Sequence, residues 1–88
     1  MVARRLWRLL NLTIVQAARL RGRSLPALVC ECRSWSCART VRVPLSTYSK
    51  LRQRHECVVL HGHQQPAVER VVWGSEDFLV TDERPRAA

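Results

Sequence analysis

Three cysteines fall within eight residues, Cys30-Glu31-Cys32-Arg33-Ser34-Trp35-Ser36-Cys37, and a second punctuated turn, His61-Gly62-His63, follows further along. In a chain of 88 residues, which buries well under roughly 70% of its unfolded surface, a cross-link constrains the fold more than any small core can. Three close sulfurs plus a distant imidazole are what a tetrahedral Cys3His site requires. In Cys-x-Cys the two side chains leave a tight turn close enough to grip one ion, and the interval to Cys37 lets the loop return for a third bond of about 2.3 Å. The fourth ligand is one of His63, His61, Cys57 or, less favoured, His55. Gly62 favours His63, because glycine permits the sharp turn that aims the next ring inward. Cys30, Cys32, Cys37 and Cys57 also admit disulfides: Cys30 to Cys32 closes a very small strained ring, whereas Cys37 to Cys57 or Cys32 to Cys57 is feasible. Free buried thiols are the third reading. The expectation carried forward is structural Zn2+ on Cys30, Cys32, Cys37 and His63, with His61 and Cys57 as alternates.

The run Cys30-Glu31-Cys32, Cys37, Val43-Pro44-Leu45-Ser46, Tyr48, Leu51-Arg52, Val58-Val59, Gly62-His63, Pro66, Val68 to Val72 and Phe78-Leu79-Val80 resembles a group of small, mostly actinobacterial proteins of unknown function. Their pattern is a Cys-x-Cys-Gly turn, a third Cys, an Ile/Val-x-Leu strand, a Tyr-x-x-Val/Leu-Arg helix, Pro-Gly-His, Pro-Glu-x-Glu and a final aromatic-Val-Val strand. The likeness covers about residues 28 to 82. Here Arg33 stands in place of the turn glycine, His61 in place of the proline of Pro-Gly-His, Ala67 in place of a glutamate, and Thr47 in place of an acid. The resemblance implies Cys30, Cys32, Cys37 and His63 as a set and implies no activity.

Charge divides the chain. Residues 1–24 hold six Arg and no acid, residues 33–55 hold five Arg and Lys50 with no acid, and residues 56–88 hold three Arg against six acids, so the net +8 lives in two blocks. Such a field attracts nucleic acid, anionic lipid or an acidic protein face. In residues 3–22, Leu6, Leu9, Leu10, Thr13, Ile14, Ala17 and Leu20 share one helical face, and Arg4, Arg5, Arg8, Asn11 and Arg19 share the other. This predicts an amphipathic helix that lays its leucines on the domain and leaves its arginines in water, with Gly22 as the stop. Membrane-surface contact, a signal peptide or an organellar presequence are the alternatives for residues 1–24, and no run reaches the length of a membrane span.

Downstream, Ala27–Glu31 and Arg39–Val43 read as strands around the metal turn, Thr47–Arg54 as a short helix capped by Ser46, and Glu56–Leu60, Glu69–Trp73 and Phe78–Asp82 as further strands. The reading is an α+β fold: a small zinc-stapled antiparallel sheet with one N-terminal amphipathic helix and one short internal helix. Residues 1–24 form the basic helix, 25–83 the metal-binding domain and 84–88 a frayed tail.

Catalytic signatures are sparse. Three glycines make no phosphate loop, and there is no nucleophile elbow or paired-carboxylate spacing. The remaining enzymatic options are a Cys57 pair with His55 or His61, and a small zinc hydrolase with Glu31 as base. The preferred expectation is no enzyme but a cytoplasmic binding module, in which Arg39, Arg42, Lys50, Arg52 and Arg54 contact nucleic-acid phosphates and Trp35 stacks. A protein-interaction adaptor, with an acidic protein as partner, is the alternative.

Overall fold

The helical period of the first twenty residues is realised as α1, Val2–Leu20, in a computed structural model that describes residues 2–83; the expected tail, 84–88, lies outside them. Gly22, at φ 66°, ends α1: its N–H returns to Arg19 O and that of Arg23 to Ala18 O, a left-handed cap that glycine takes without strain. The chain continues through β1 (Ala27–Val29), β2 (Thr40–Arg42), α2 (Leu45–Gln53), β3 (Cys57–Val59), β4 (Glu69–Gly74) and β5 (Leu79–Glu83). This is the expected order of elements in an α+β fold.

The strands form two antiparallel sheets. β1 and β2 make a ribbon with Leu28 opposite Val41; β3, β5 and β4 make a second sheet in that order, with Val72 bulged between the Val71 and Trp73 pairings. The ribbon meets the second sheet where Glu31 N–H donates to Val58 O at 2.8 Å. α2 begins two residues earlier than its sequence suggests: Pro44 occupies the cap position and Ser46 makes no capping bond. The exposed start is served instead by the carbonyl of Ser24, which accepts from Leu45 N–H. One core cluster joins Val15, Leu28, Val41, Val43, Tyr48, Leu51, Val58, Phe78 and Val80; a second gathers Cys30, Cys32 and Cys37 on Val59 and Leu79.

The helix corrects the sequence reading. α1 turns Ala3, Arg4, Asn11, Val15 and Ala18 toward the domain, while Leu6, Leu9, Leu10 and Leu20 are 43–90% exposed. Part of the face taken as solvated is packed, with Arg4 only 4% exposed and Asn11 buried, whereas Arg5 and Arg19 are exposed as expected and Ile14 of the leucine face does pack against the core. The reason is a polar clamp. Arg4 Nε donates to Glu31 O and Arg4 Nη2 to Glu69 Oε1, both at 2.7 Å. The Asn11 amide accepts from Val29 N–H and donates to Val29 O, as a neighbouring strand would, and also reaches Glu31 Oε2 at 2.9 Å. Buried polar groups satisfied in this way outweigh a leucine stripe, because leaving them unpaired costs more than leaving leucines in water.

Candidate metal centre

The metal loop is the connection between β1 and β2. Cys30 ends the ribbon, its N–H donating to Arg39 O at 2.9 Å, so its side chain is fixed by strand pairing. Cys32 and Cys37 follow around a turn closed by Cys37 N–H to Ser34 O. His63 comes from the loop after β3, where its N–H donates to Leu60 O and Gly62 takes φ 85°, a conformation that favours glycine and directs the next side chain inward.

Cys30, Cys32, Cys37 and His63 each offer one ligand atom, all within 4.8 Å of one another. His63 Nδ1 lies 3.4 Å from Cys37 Sγ and 3.7 Å from Cys30 Sγ. A tetrahedron with metal–sulfur bonds of about 2.3 Å and a metal–nitrogen bond of about 2.05 Å has a sulfur-to-nitrogen edge of about 3.6 Å. The residues therefore fit a single four-coordinate ion. Leu60 N–H donates to Cys30 Sγ at 3.2 Å, the kind of outer-shell bond that orients a thiolate ligand. The four cysteines are free rather than disulfide-linked.

Burial pushes the Cys30 thiol up to about 12; the Leu60 N–H opposes this, while the neighbouring Cys32 and Cys37 add to it. Burial also raises Cys32, against a backbone bond from Ser34. Protein groups alone thus keep these two thiols protonated at neutral pH, and a bound divalent ion would favour their thiolates.

The alternates fall elsewhere. His61 is exposed, with Nε2 2.7 Å from Ser75 O. Cys57 is buried in β3 beside Arg4, its thiol pushed up to about 11 by burial against that guanidinium. His55 is exposed in a left-handed conformation, φ 58°, that closes the C-terminus of α2. Glu31, the base of the hydrolase alternative, is fully buried. Its carboxylate accepts from Asn11, Tyr48 Oη–H and Val58 N–H, and so serves the core rather than a water.

The basic residues expected at a nucleic-acid surface line separate depressions. Lys50 and Arg54 share one with Trp73, Arg52 shares another with Arg19, and Arg42 shares a third with Arg21 and Arg23. Arg39 is exposed beside the ribbon. Trp35, 55% exposed, packs edge-on against Trp7 at 6.4 Å, and Trp7 Nε1 donates to Ser34 O. About 21 Å of helix separate Trp7, against which Trp35 packs, from the position of Arg21 beside Arg42.

Residues that the sequence reading did not place at the site turn out to organise it: Arg4 bonds both Glu31 O of the metal loop and Glu69 of β4, and Asn11 ties α1 to Val29 and Glu31. The available signal was Arg4, Asn11, Val15 and Ala18 at helical spacing, a stripe of mixed polarity overshadowed by the leucines. No helix among the described residues is long and apolar enough to cross a membrane. Compared with family models, curated proteins and solved structures, the chain matches none.

Proposed function

We propose that the protein is a zinc-stapled binding module, without catalysis of its own, that takes polyanions and foremost nucleic acid. Zinc follows from the donor set: three thiolates and an imidazole in tetrahedral reach are soft donors that suit Zn2+ and leave no open position for water. The polyanion reading is carried by one observation, the fate of the acids. Glu31, Glu56 and Glu69 are buried, and Asp82 and Glu83 pair with Arg70 and Arg33. Of seven acids only Glu76 and Asp77 are exposed without a cation, and Glu83 is exposed and weakly held, whereas Arg39, Arg42, Lys50 and Arg54 are exposed and Arg52 is half-exposed. The outer surface is thus more cationic than the composition.

Salt titration of binding to arbitrary duplex tests this. Five phosphate contacts give a log-log slope of about −4 to −5, and replacing Arg52 and Arg54 by Gln flattens it by about two. Trp35→Ala weakens single-strand binding by about 1–3 kcal/mol if the ring stacks. Affinity at about 0.15 M salt equal to that of any control of like charge rejects the reading.

The adaptor reading is favoured by a different observation, the outward leucines of α1. Leu6, Leu9, Leu10 and Leu20 make an apolar face bordered by Arg5 and Arg19, a pattern that suits an apolar groove with an acidic rim. A stoichiometric partner lost on Leu6→Gln with Leu9→Gln, at weak salt dependence, supports it. Flotation with anionic vesicles that survives high salt assigns the face to lipid instead.

A further inference from the structure

Between the first turns of α1, the metal loop and the end of β5 lies a depression of about 610 Å3 lined by Arg4, Arg5, Arg8, Arg33 and Arg54. Three of these side chains hold buried N–H groups with no acceptor among the described residues: Arg4 Nη1, Arg8 Nε and Arg33 Nε. A guanidinium cannot shed its proton, so each is an obligate donor without a partner, a costly condition that native structures seldom leave unexplained. Arg4 is the most telling. It is 4% exposed and cannot swing out, since Nε and Nη2 are tied to Glu31 O and Glu69.

We infer that this depression is a binding site for a phosphate group. The charge selects the ligand class. Asp82 and Glu83 also line the space; behind them Glu69 bonds Arg4, Glu31 lies within electrostatic reach of Arg4, and Arg70 binds Asp82, so six guanidiniums stand against four carboxylates, an excess of two. A dianionic phosphate ester suits that excess better than a carboxylate, and guanidinium forks match its oxygens. Glu83 holds Arg33 only at 3.4 Å with its own side chain 71% exposed, a weak pair that an incoming phosphate displaces. The volume lies in the range of small-molecule sites and exceeds what a bare oxyanion fills, so the phosphate arrives attached to a larger group. The inference rests on the pocket for the phosphate itself and on the polyanion reading above only for a nucleic-acid source.

The test uses the full chain loaded with metal, with calorimetry and thermal melts in sodium phosphate against sodium chloride at equal ionic strength. Phosphate should bind saturably and raise the melting temperature where chloride does not. Arg8→Gln and Arg33→Gln should each weaken phosphate by about tenfold or more, the loss of one charged hydrogen bond, with metal content unchanged. Phosphate indistinguishable from chloride, or binding insensitive to Arg8→Gln, overturns the site. A nucleoside 5′-monophosphate and oligonucleotides with and without a 5′-phosphate separate the sources. If the mononucleotide binds through Arg8 and oligonucleotides do not bind, the pocket stands and the nucleic-acid reading falls. If oligonucleotides bind irrespective of Arg8 and phosphate does not, the pocket falls and the surface reading stands.

Discussion

Asn11 should matter more to folding than any leucine of α1. In Asn11→Ala, Val29 N–H and Val29 O lose their partners and Glu31 Oε2 loses one of its two donors, all in fully or nearly fully buried positions. Each orphaned buried group costs about 1–3 kcal/mol, and the loss at a charged acceptor lies at the upper end, so about 3–5 kcal/mol is expected after partial relaxation. Small domains are stable by about 5–15 kcal/mol, which makes this about a fifth of the total or more. At about 4–8 °C per kcal/mol for a chain of this size, the melting temperature should fall by at least about 12 °C. Leu9→Ala, at a position 60% exposed, should move it by less than about 0.5 kcal/mol. Thermal and urea melts followed by circular dichroism, with metal bound, measure both. If Leu9→Ala and Leu10→Ala destabilise more than Asn11→Ala, α1 packs by its leucines and the polar clamp is not what docks it.

Purified protein should carry one equivalent of zinc and unfold on chelation; Cys32→Ser should lose the metal, while His61→Ala and Cys57→Ser should keep it, read by elemental analysis. Acid should act through Glu69. Burial alone would push that carboxyl up, but bonds from Thr81 Oγ1, Arg4 and Gln65 N–H outweigh it and hold the group below its ordinary 4.5. With a folded value below the unfolded one, its stabilisation is complete above about pH 4.5 and is lost as pH falls through the folded value. The stability gap between wild type and Glu69→Gln should therefore narrow in that acidic window, and a gap constant down to pH 2 would reject the coupling. His55→Gly should stabilise by about 1 kcal/mol, because a left-handed cap residue with a Cβ carries strain that glycine lacks, and equal or lower melting temperature would contradict this.

The element order was legible because each signal was local: period 3.6 in α1, alternation in β2, Pro44 before α2, and Gly22 and Gly62 at left-handed turns. The metal set was legible for a related reason. Cys30, Cys32 and Cys37 share one loop, so only His63 had to be found at long range. The docking of α1 was not legible, since it depends on Glu69, 65 residues from Arg4, and on an asparagine that acts as a strand edge. Hydrophobic periodicity reports where a helix can bury leucines and is silent on buried carboxylates that require a cation. The same blindness hid the phosphate pocket, whose arginines come from α1, the metal loop and the end of α2. The split into two sheets also escaped, because the ribbon and the second sheet meet only through long-range bonds around Glu31 and Cys30 that strand composition does not reveal.

β4 lies at the end of its sheet with Val71, Val72 and Trp73 each 40–47% exposed, and an apolar sheet edge is a template on which further copies can polymerise. Two features restrain that outcome. The bulge at Val72 breaks the flat hydrogen-bonding row, and a net charge of +8 makes every copy repel the next. The first is permanent, but the second reaches only about 10 Å in 0.1 M salt and about 3 Å in 1 M. Colloidal stability therefore depends on low ionic strength: solutions that stay clear in dilute buffer should grow in scattering as salt is added, and any anionic polymer that neutralises the surface should concentrate the chains and expose the edge to its neighbours.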